Sequence, residues 1–229
     1  MRILAWETTG MAGSVSALID GRVLLERGLP DTQRSAQSLA PAVHGLLAEM
    51  GWRTADVELI ATAIGPGSFT GLRVGVTTAK LMSYAIGCPV VGVNTLEAIA
   101  GRTPTNYTAI SVAMDAQRRQ VFTARFNRPA GGDTSWVRPA EIMGIDEWLV
   151  SLGSQWAATG PILERLADRL PADAQVVPRE FWTPSGSSIG QLGWRLFTAG
   201  QRDDPFQLVP LYLRRTAAEE QWDRRTAGL

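Results

Sequence analysis

Ala61-Thr62-Ala63-Ile64-Gly65-Pro66-Gly67-Ser68-Phe69-Thr70-Gly71-Leu72-Arg73-Val74-Gly75 decides how this chain of 229 residues is read. Residues 59–64 are apolar and read as a buried strand. The strand stops at Gly65-Pro66-Gly67, a turn that suits neither strand nor helix. Ser68 or Thr70 then caps a helix that runs to about Ile86. On that helix Gly71, Gly75, Ala79, Ser83 and Gly87 recur every four residues, so one face is almost bare. Each interior glycine costs roughly 1 kcal/mol against alanine, a cost that fits a place where another backbone comes close. Two readings follow. Either the bare face packs inside its own domain, or a partner's helix docks there. The second reading makes Gly71, Val74, Gly75, Thr78, Ala79, Met82 and Ser83 an interface, together with Leu39 and Val43 of the preceding helix. Neither common phosphate loop fits. A Walker A loop ends in Gly-Lys-Ser/Thr, whereas Gly71 is followed by Leu72 and Arg73. The dinucleotide fingerprint needs a third glycine where Thr70 stands.

Composition narrows the classes. Lys plus Arg and Asp plus Glu stand at 22 each, and a protein that grips a phosphate backbone unaided is distinctly basic. Direct nucleic-acid contact is therefore limited to a basic tail region at Arg214, Arg215, Arg224 and Arg225, whose simpler role is solubility. Cys88 is the single cysteine; an internal disulfide is excluded, which fits a reducing compartment. Residues 1–7 reach an acid too early for a signal-peptide core, and no apolar run matches a bilayer span, so a cytoplasmic protein is expected. His44 is the single histidine. That excludes a two-histidine zinc motif, and no Gly-x-Ser-x-Gly elbow presents a serine nucleophile. A protease has neither nucleophile nor metal here.

Working outward, residues 3–6, 14–19 and 23–25 read as three antiparallel strands, with Asp20-Gly21 as a two-residue hairpin turn. Residues 35–50 read as a helix, with Leu39, Val43, Leu46, Leu47 and Met50 on one face. After the opening strand-turn-helix come a strand at 90–93 and a helix at 95–100. Residues 101–106 are the candidate linker. Strands are expected at 107–114, 120–126 and 134–137, a turn at Gly131-Gly132-Asp133, and a helix over 142–152. A strand at 156–159, a helix over 161–170 and a short strand at 176–177 follow. A closing helix spans 187–199. The halves share a beginning: Ile3-Leu4-Ala5-Trp6-Glu7 matches Ile110-Ser111-Val112-Ala113-Met114-Asp115, each a strand ending in an acid and followed by a return strand. This pattern predicts two duplicated β-β-β-α lobes, residues 1–104 and 105–229, with the last helix packing back on the first lobe. The fold class is α/β, an actin-like ATPase (ASKHA, ribonuclease H-like) fold. In that fold Glu7 and Asp115 face the cleft, where two acids can hold a metal-bound nucleotide.

The run Gly65-Pro66-Gly67-Ser68-Phe69-Thr70-Gly71-Leu72-Arg73-Val74-Gly75 resembles the signature of the bacterial TsaB (YeaZ) family. The resemblance continues through Val91-Gly92-Val93-Asn94-Thr95-Leu96-Glu97, Met114-Asp115-Ala116 and Pro210-Leu211-Tyr212-Leu213-Arg214, and so covers nearly the whole chain. It implies a non-catalytic subunit that binds and activates TsaD, the transferase that threonylcarbamoylates N6 of the adenosine beside the tRNA anticodon. It implies TsaE, an ATPase, as a further partner, and tRNA reached through the complex. The family's docking through helices of the first lobe implies the interface residues given above. It also implies no intrinsic cofactor, with ATP or ADP and Mg held only in complex with TsaD and TsaE. TsaD-type enzymes carry paired metal-binding histidines on the first long helix; this chain has Ser35 and Leu39 near its start and His44 late, which implies no metal ligands. Departures strip charge from the cleft: Glu7-Thr8 replaces the usual Asp-Thr, and Gln117 and Gln120 replace an Arg and a Glu. An isolated chain is expected to form a homodimer through its uncovered helix face. The competing reading is a small actin-like ATP-binding enzyme that uses Glu7 and Asp115 around a metal-bound nucleotide.

Overall fold

A computed structural model describes residues 1–10, 13–30, 35–129 and 132–214. Gly131 of the expected turn, and Arg215, Arg224 and Arg225 of the basic tail, lie outside the described residues. The chain enters as three antiparallel strands, β1 (Arg2–Glu7), β2 (Ser14–Ile19) and β3 (Arg22–Gly28). Then come α1 (Ser35–Met50), β4 (Leu59–Gly65), α2 (Phe69–Ile86), β5 (Val90–Asn94) and α3 (Thr95–Arg102). The second half repeats the plan with β6 (Ala109–Asp115), β7 (Gln120–Asn127), β8 (Ser135–Gly144), α4 (Ile145–Leu152), β9 (Ala157–Thr159), α5 (Leu163–Leu166), β10 (Gln175–Val176) and α6 (Gly186–Thr198).

The two sheets have the same topology. The first runs β3-β2-β1-β4-β5 and the second β8-β7-β6-β9-β10. In each, the opening strand is central, the next two pair outward antiparallel, and the fourth joins the first in parallel on its other side. This is the ribonuclease H-like sheet, present twice.

Alternation along β1 sorts the cores, as period-two side chains must. Leu4 and Trp6 join Leu39, Val43, Leu46 and Val76 beneath α1 and α2. Ile3 and Ala5 face the other way, against Ile189, Leu192 and Phe197 of α6 and Ala98 of α3. The second sheet receives Leu96, Ile99 and Ala100 of α3 on one face and Trp148, Leu149 and Leu152 of α4 on the other. So α3 and α6 lie between the sheets, and α1 with α2 lie on the far side of the first.

The expected linker is a joint, not a tether. Gly101 and Arg102 are the last turn of α3, and Thr103 is buried. Arg128, only 5% exposed, donates from its guanidinium to the carbonyls of Ala100, Gly101, Thr103 and Pro104. These include carbonyls that every helix end leaves without a partner. Two other elements differ from expectation. β8 continues to Gly144, where a helix was expected from Ile142; the strand sits at the sheet edge and is exposed over its first half, so alternation does not mark it. The helix expected over 161–170 is one α turn, Leu163–Leu166, followed by a 3-10 turn, Ala167–Arg169.

Candidate functional site

The strand-turn-helix forms as its residues require. Gly65 has φ +117° and Gly67 φ +159°. Ser68 caps α2 by accepting from the Gly71 N–H at 3.3 Å. Gly87, in the left-handed region, ends the helix. The loop after β1 is fastened to this turn. The Ser68 N–H donates to the Thr9 carbonyl at 3.0 Å, and the Thr8 hydroxyl donates to the Gly71 carbonyl at 2.8 Å.

That fastening decides between the two readings of the bare helix face. Gly71, Gly75, Ala79 and Ser83 are buried against the chain's own first sheet, beside Leu72 and Val76. A Cβ on Gly71 would fall 1.7 Å from the Thr8 carbonyl oxygen, and one on Gly75 2.4 Å from the Thr8 hydroxyl. The Trp6 indole N–H donates to the Gly75 carbonyl at 3.1 Å. The glycines thus admit the backbone of the loop after β1, not a partner's helix. Leu39 and Val43 are buried in the same core, with Val74 and Met82 half-buried against it and Thr78 half-buried. The bare stripe of this set, Gly71, Gly75, Ala79 and Ser83, is sealed within the monomer, whereas Val74, Thr78 and Met82 keep part of their surface open. A bulky residue at Gly75 would break the fold before it touched an interface.

The outward face of α2 is a different set. Arg73, Thr77, Leu81, Tyr84 and Ala85 are exposed, Leu81 at 63% and Tyr84 at 69%. A strap, residues 203–214, runs alongside. Phe206 meets Tyr84 edge-on at 5.5 Å, and Tyr212 stacks on Phe69 at 4.9 Å. The Lys80 ammonium donates to the Phe206 carbonyl at 3.3 Å, and Arg73 Nε to the Tyr212 hydroxyl at 3.1 Å. Phe206 and Val209, both more than 60% exposed, extend the apolar surface of the helix. None of these residues was among the expected interface set. The signal was present as Leu81 and Tyr84, three apart on the helix phase opposite the glycines.

Glu7 and Asp115 end topologically equivalent strands, β1 and β6. Each carboxylate accepts from the backbone N–H two residues on, Glu7 from Thr9 and Asp115 from Gln117 at 2.8 Å. The duplication therefore reaches individual hydrogen bonds. Their surroundings differ. Glu7 is fully buried; its Oε1 also accepts from the Thr9 hydroxyl, and its Oε2 has no partner. Burial pushes the Glu7 carboxyl up to about 7, against the opposing pull of its bonds from Thr9 and Gly10. Asp115 is exposed and paired with Arg165 at 2.9 Å. The strap crosses from one lobe to the other close by. The Leu211 N–H donates to the Ile64 carbonyl at 2.7 Å, and Arg214 donates to the Ala116 carbonyl at 2.6 Å and to the Gln120 side chain.

A magnesium-bound nucleotide needs open oxygen ligands. Here one acid is sealed and the other is engaged by Arg165, and the strap is bonded to Ile64 in β4 and to Ala116, next to Asp115. So arranged, Glu7 and Asp115 do not fit that group. Among the described residues no three His, Cys, Asp or Glu gather closely enough to hold a metal. His44 is exposed on α1. No helix among the described residues is long and apolar enough to cross a membrane.

Fold and site together define a two-lobed protein of the actin-like ATPase class whose paired acids are engaged by their own turns. A family model described as TsaD, tRNA N6-adenosine threonylcarbamoyltransferase, matches residues 31–222. The tRNA threonylcarbamoyladenosine biosynthesis protein TsaB of Escherichia coli is 30% identical over 227 residues, covering 95% of this chain and 96% of that one. The protein of the same name from Bacillus subtilis is 29% identical, covering 97% and 98%. A crystal structure from Pseudomonas aeruginosa, described as an uncharacterized protein with similarity to peptidase YEAZ, superposes with a TM-score of 0.81 at 25% identity, covering 93% of this chain and 99% of that one. The chain belongs to the TsaB (YeaZ) branch of the TsaD/TsaB superfamily.

Proposed function

We propose that this chain works in tRNA threonylcarbamoyladenosine biosynthesis as a non-catalytic subunit that binds and activates a TsaD transferase. The observation that carries the reading is its near full-length similarity to proteins named TsaB. The engaged state of Glu7 and Asp115 supports a subunit without chemistry of its own. The exposed apolar surface of α2, centred on Leu81 and Tyr84 and continued by Phe206, supports docking on an apolar partner surface. In this reading TsaE and nucleotide enter with the assembled complex, tRNA is reached through TsaD, and the work is cytoplasmic. An isolated chain covers the same surface by forming a homodimer.

Reconstitution tests it. Purified chain, its cognate TsaD and TsaE, ATP, a source of threonylcarbamoyl-adenylate and tRNA are combined, and modified adenosine is measured by mass spectrometry. Omitting the chain should abolish or sharply slow the transfer; an equal rate without it overturns activation. Leu81→Glu leaves the buried face untouched. Losing one buried leucine contact is worth about 1.5–3 kcal/mol, so TsaD affinity should fall roughly 10- to 100-fold. Unchanged affinity removes this face from the interface.

A further inference from the structure

A second feature is the turn between β6 and β7. Gln117, Arg118 and Arg119 stand in succession in the left-handed region, with φ +60°, +51° and +57°. Among the described residues Asp20 is the one other non-glycine residue with positive φ. That region crowds the Cβ of an L-residue against its own backbone, so single residues visit it and a run of three needs support from its surroundings. The support is visible. The Gln117 N–H is taken by the Asp115 carboxylate at 2.8 Å, and the Arg119 carbonyl accepts from the Ile145 N–H at 3.0 Å. Within the turn the Gln120 N–H donates to the Gln117 carbonyl at 2.9 Å and the Ala116 N–H to the Gln120 carbonyl at 3.0 Å. A further hold comes from far along the chain. The Arg214 guanidinium lies across the base of the turn, donating to the Ala116 carbonyl at 2.6 Å and to the Gln120 side chain.

Arg214 ends the strap, and the rest of the strap is fastened to the first lobe. Asp203 bridges to β5, its N–H donating to the Val90 carbonyl at 3.1 Å and its carboxylate accepting from the Gly92 N–H at 2.7 Å. Leu208 is buried in the core beneath α1 and α2, whereas Leu213 packs on the cluster that holds Met114, Ala116 and Phe122. Pro210 stands between them and removes a backbone freedom. One short segment therefore has a foot in each lobe. It also reaches along α2, with Phe206 against Tyr84 near the helix end and Tyr212 against Phe69 at the helix start. Tyr212 is two residues from Arg214, so its stack on Phe69 and its bond from Arg73 set where the guanidinium can reach.

We propose that residues 203–214 are a relay between the outward face of α2 and the turn after β6. Seated on α2, the strap lays Arg214 across the turn and holds its three residues left-handed. Shifted on α2, it withdraws the guanidinium, and the turn relaxes toward ordinary backbone angles. These two arrangements are the two states that coupling between distant sites requires. In the assembled complex the strap is shifted by a partner laid on Tyr84 and Phe206. This last step rests on the docking reading, whereas the relay is a property of the chain alone.

The test uses the full chain with no partner present, so a failure of docking leaves its result untouched. Amide exchange is followed by NMR at Ala116 and Gln120 in the turn and at Leu4 and Ala5 in β1. Arg214→Met should raise exchange at the turn about 10-fold. Phe206 and Tyr212 are 67% and 40% exposed, so Phe206→Ser and Tyr212→Ser keep the fold. Each should raise exchange at Ala116 and Gln120 about 3- to 10-fold and leave β1 unchanged. Arg118→Gly puts in the left-handed region the residue that suits it. Added to Tyr212→Ser, it should return exchange at the turn to within about 2-fold of wild type. Turn exchange unaltered in Arg214→Met overturns the grip, and turn exchange unaltered in both strap variants overturns the relay. An equal rise in β1 and in the turn marks a loss of global stability and overturns it as well.

Discussion

Replacing Glu7 by glutamine should make the protein less sensitive to pH, and the amount follows from the site. The carboxyl has an ordinary value of 4.5 and is raised to about 7 by burial. Between those limits the folded chain holds a proton that the unfolded chain has released. Stability from this group is therefore complete below about pH 4.5 and is lost as pH rises through about 7. One pH unit of difference corresponds to about 1.4 kcal/mol, so the full loss is roughly 3 kcal/mol, most of it falling between about pH 5 and pH 8. Glutamine keeps an oxygen for the Thr9 N–H and hydroxyl and carries no charge at any pH. Urea unfolding of wild type and Glu7→Gln across that range measures the gap between them, and other titrating groups cancel in the difference. The variant should gain on wild type by roughly 2–3 kcal/mol from the acid end to the alkaline end. A gap constant within about 0.5 kcal/mol would refute the buried, raised carboxyl. A gap that closes as pH rises would reverse the sign and refute it more strongly.

Two further predictions concern the frame. Gly71→Ala drives a methyl to 1.7 Å from the Thr8 carbonyl oxygen and should cost about 3 kcal/mol or more, read by denaturant unfolding; a loss below about 1 kcal/mol would mean the loop after β1 yields freely. Arg128→Met leaves the carbonyls of Ala100, Gly101, Thr103 and Pro104 without their donor and should cost about 3 kcal/mol. Arg128→Lys should recover part of it, and hydrogen exchange should rise first at the α3–β6 joint.

Much of this was legible in the chain because it rests on local chemistry. Asp20-Gly21 makes a hairpin, Ser68 caps, Gly87 terminates, and the matched starts at Ile3 and Ile110 mark equivalent central strands. What was not legible depends on which surface a segment meets. A glycine stripe announces close approach and does not name the neighbour. Here Leu72 and Val76 share the buried side with Gly71 and Gly75, and that pairing points inward. The strap carries no period because its bonds go singly to Val90, Ile64 and Ala116 on different elements. Glu7, expected as an acid facing the cleft, is fully buried. Thr9 turns back to bond its carboxylate, a contact that no spacing of residues encodes.

The duplication also shows how the two lobes are joined. α3 and α6 each follow the fifth strand of a lobe, so they are equivalent by descent of topology. Each completes a core beyond its own sheet. α3 packs Leu96, Ile99 and Ala100 on β6 and β7, while α6 packs Ile189, Leu192 and Phe197 on the first sheet. Arg128 ties the end of α3 to β7, and Arg214 ties the strap to the β6–β7 turn. Here the joint is an exchange of helices buried on both sides. Opening it would expose apolar surface at about 25 cal/mol per Å² on two cores at once. In the proposed role such a joint serves as a rigid platform, which would lose little conformational freedom when a partner is laid on α2.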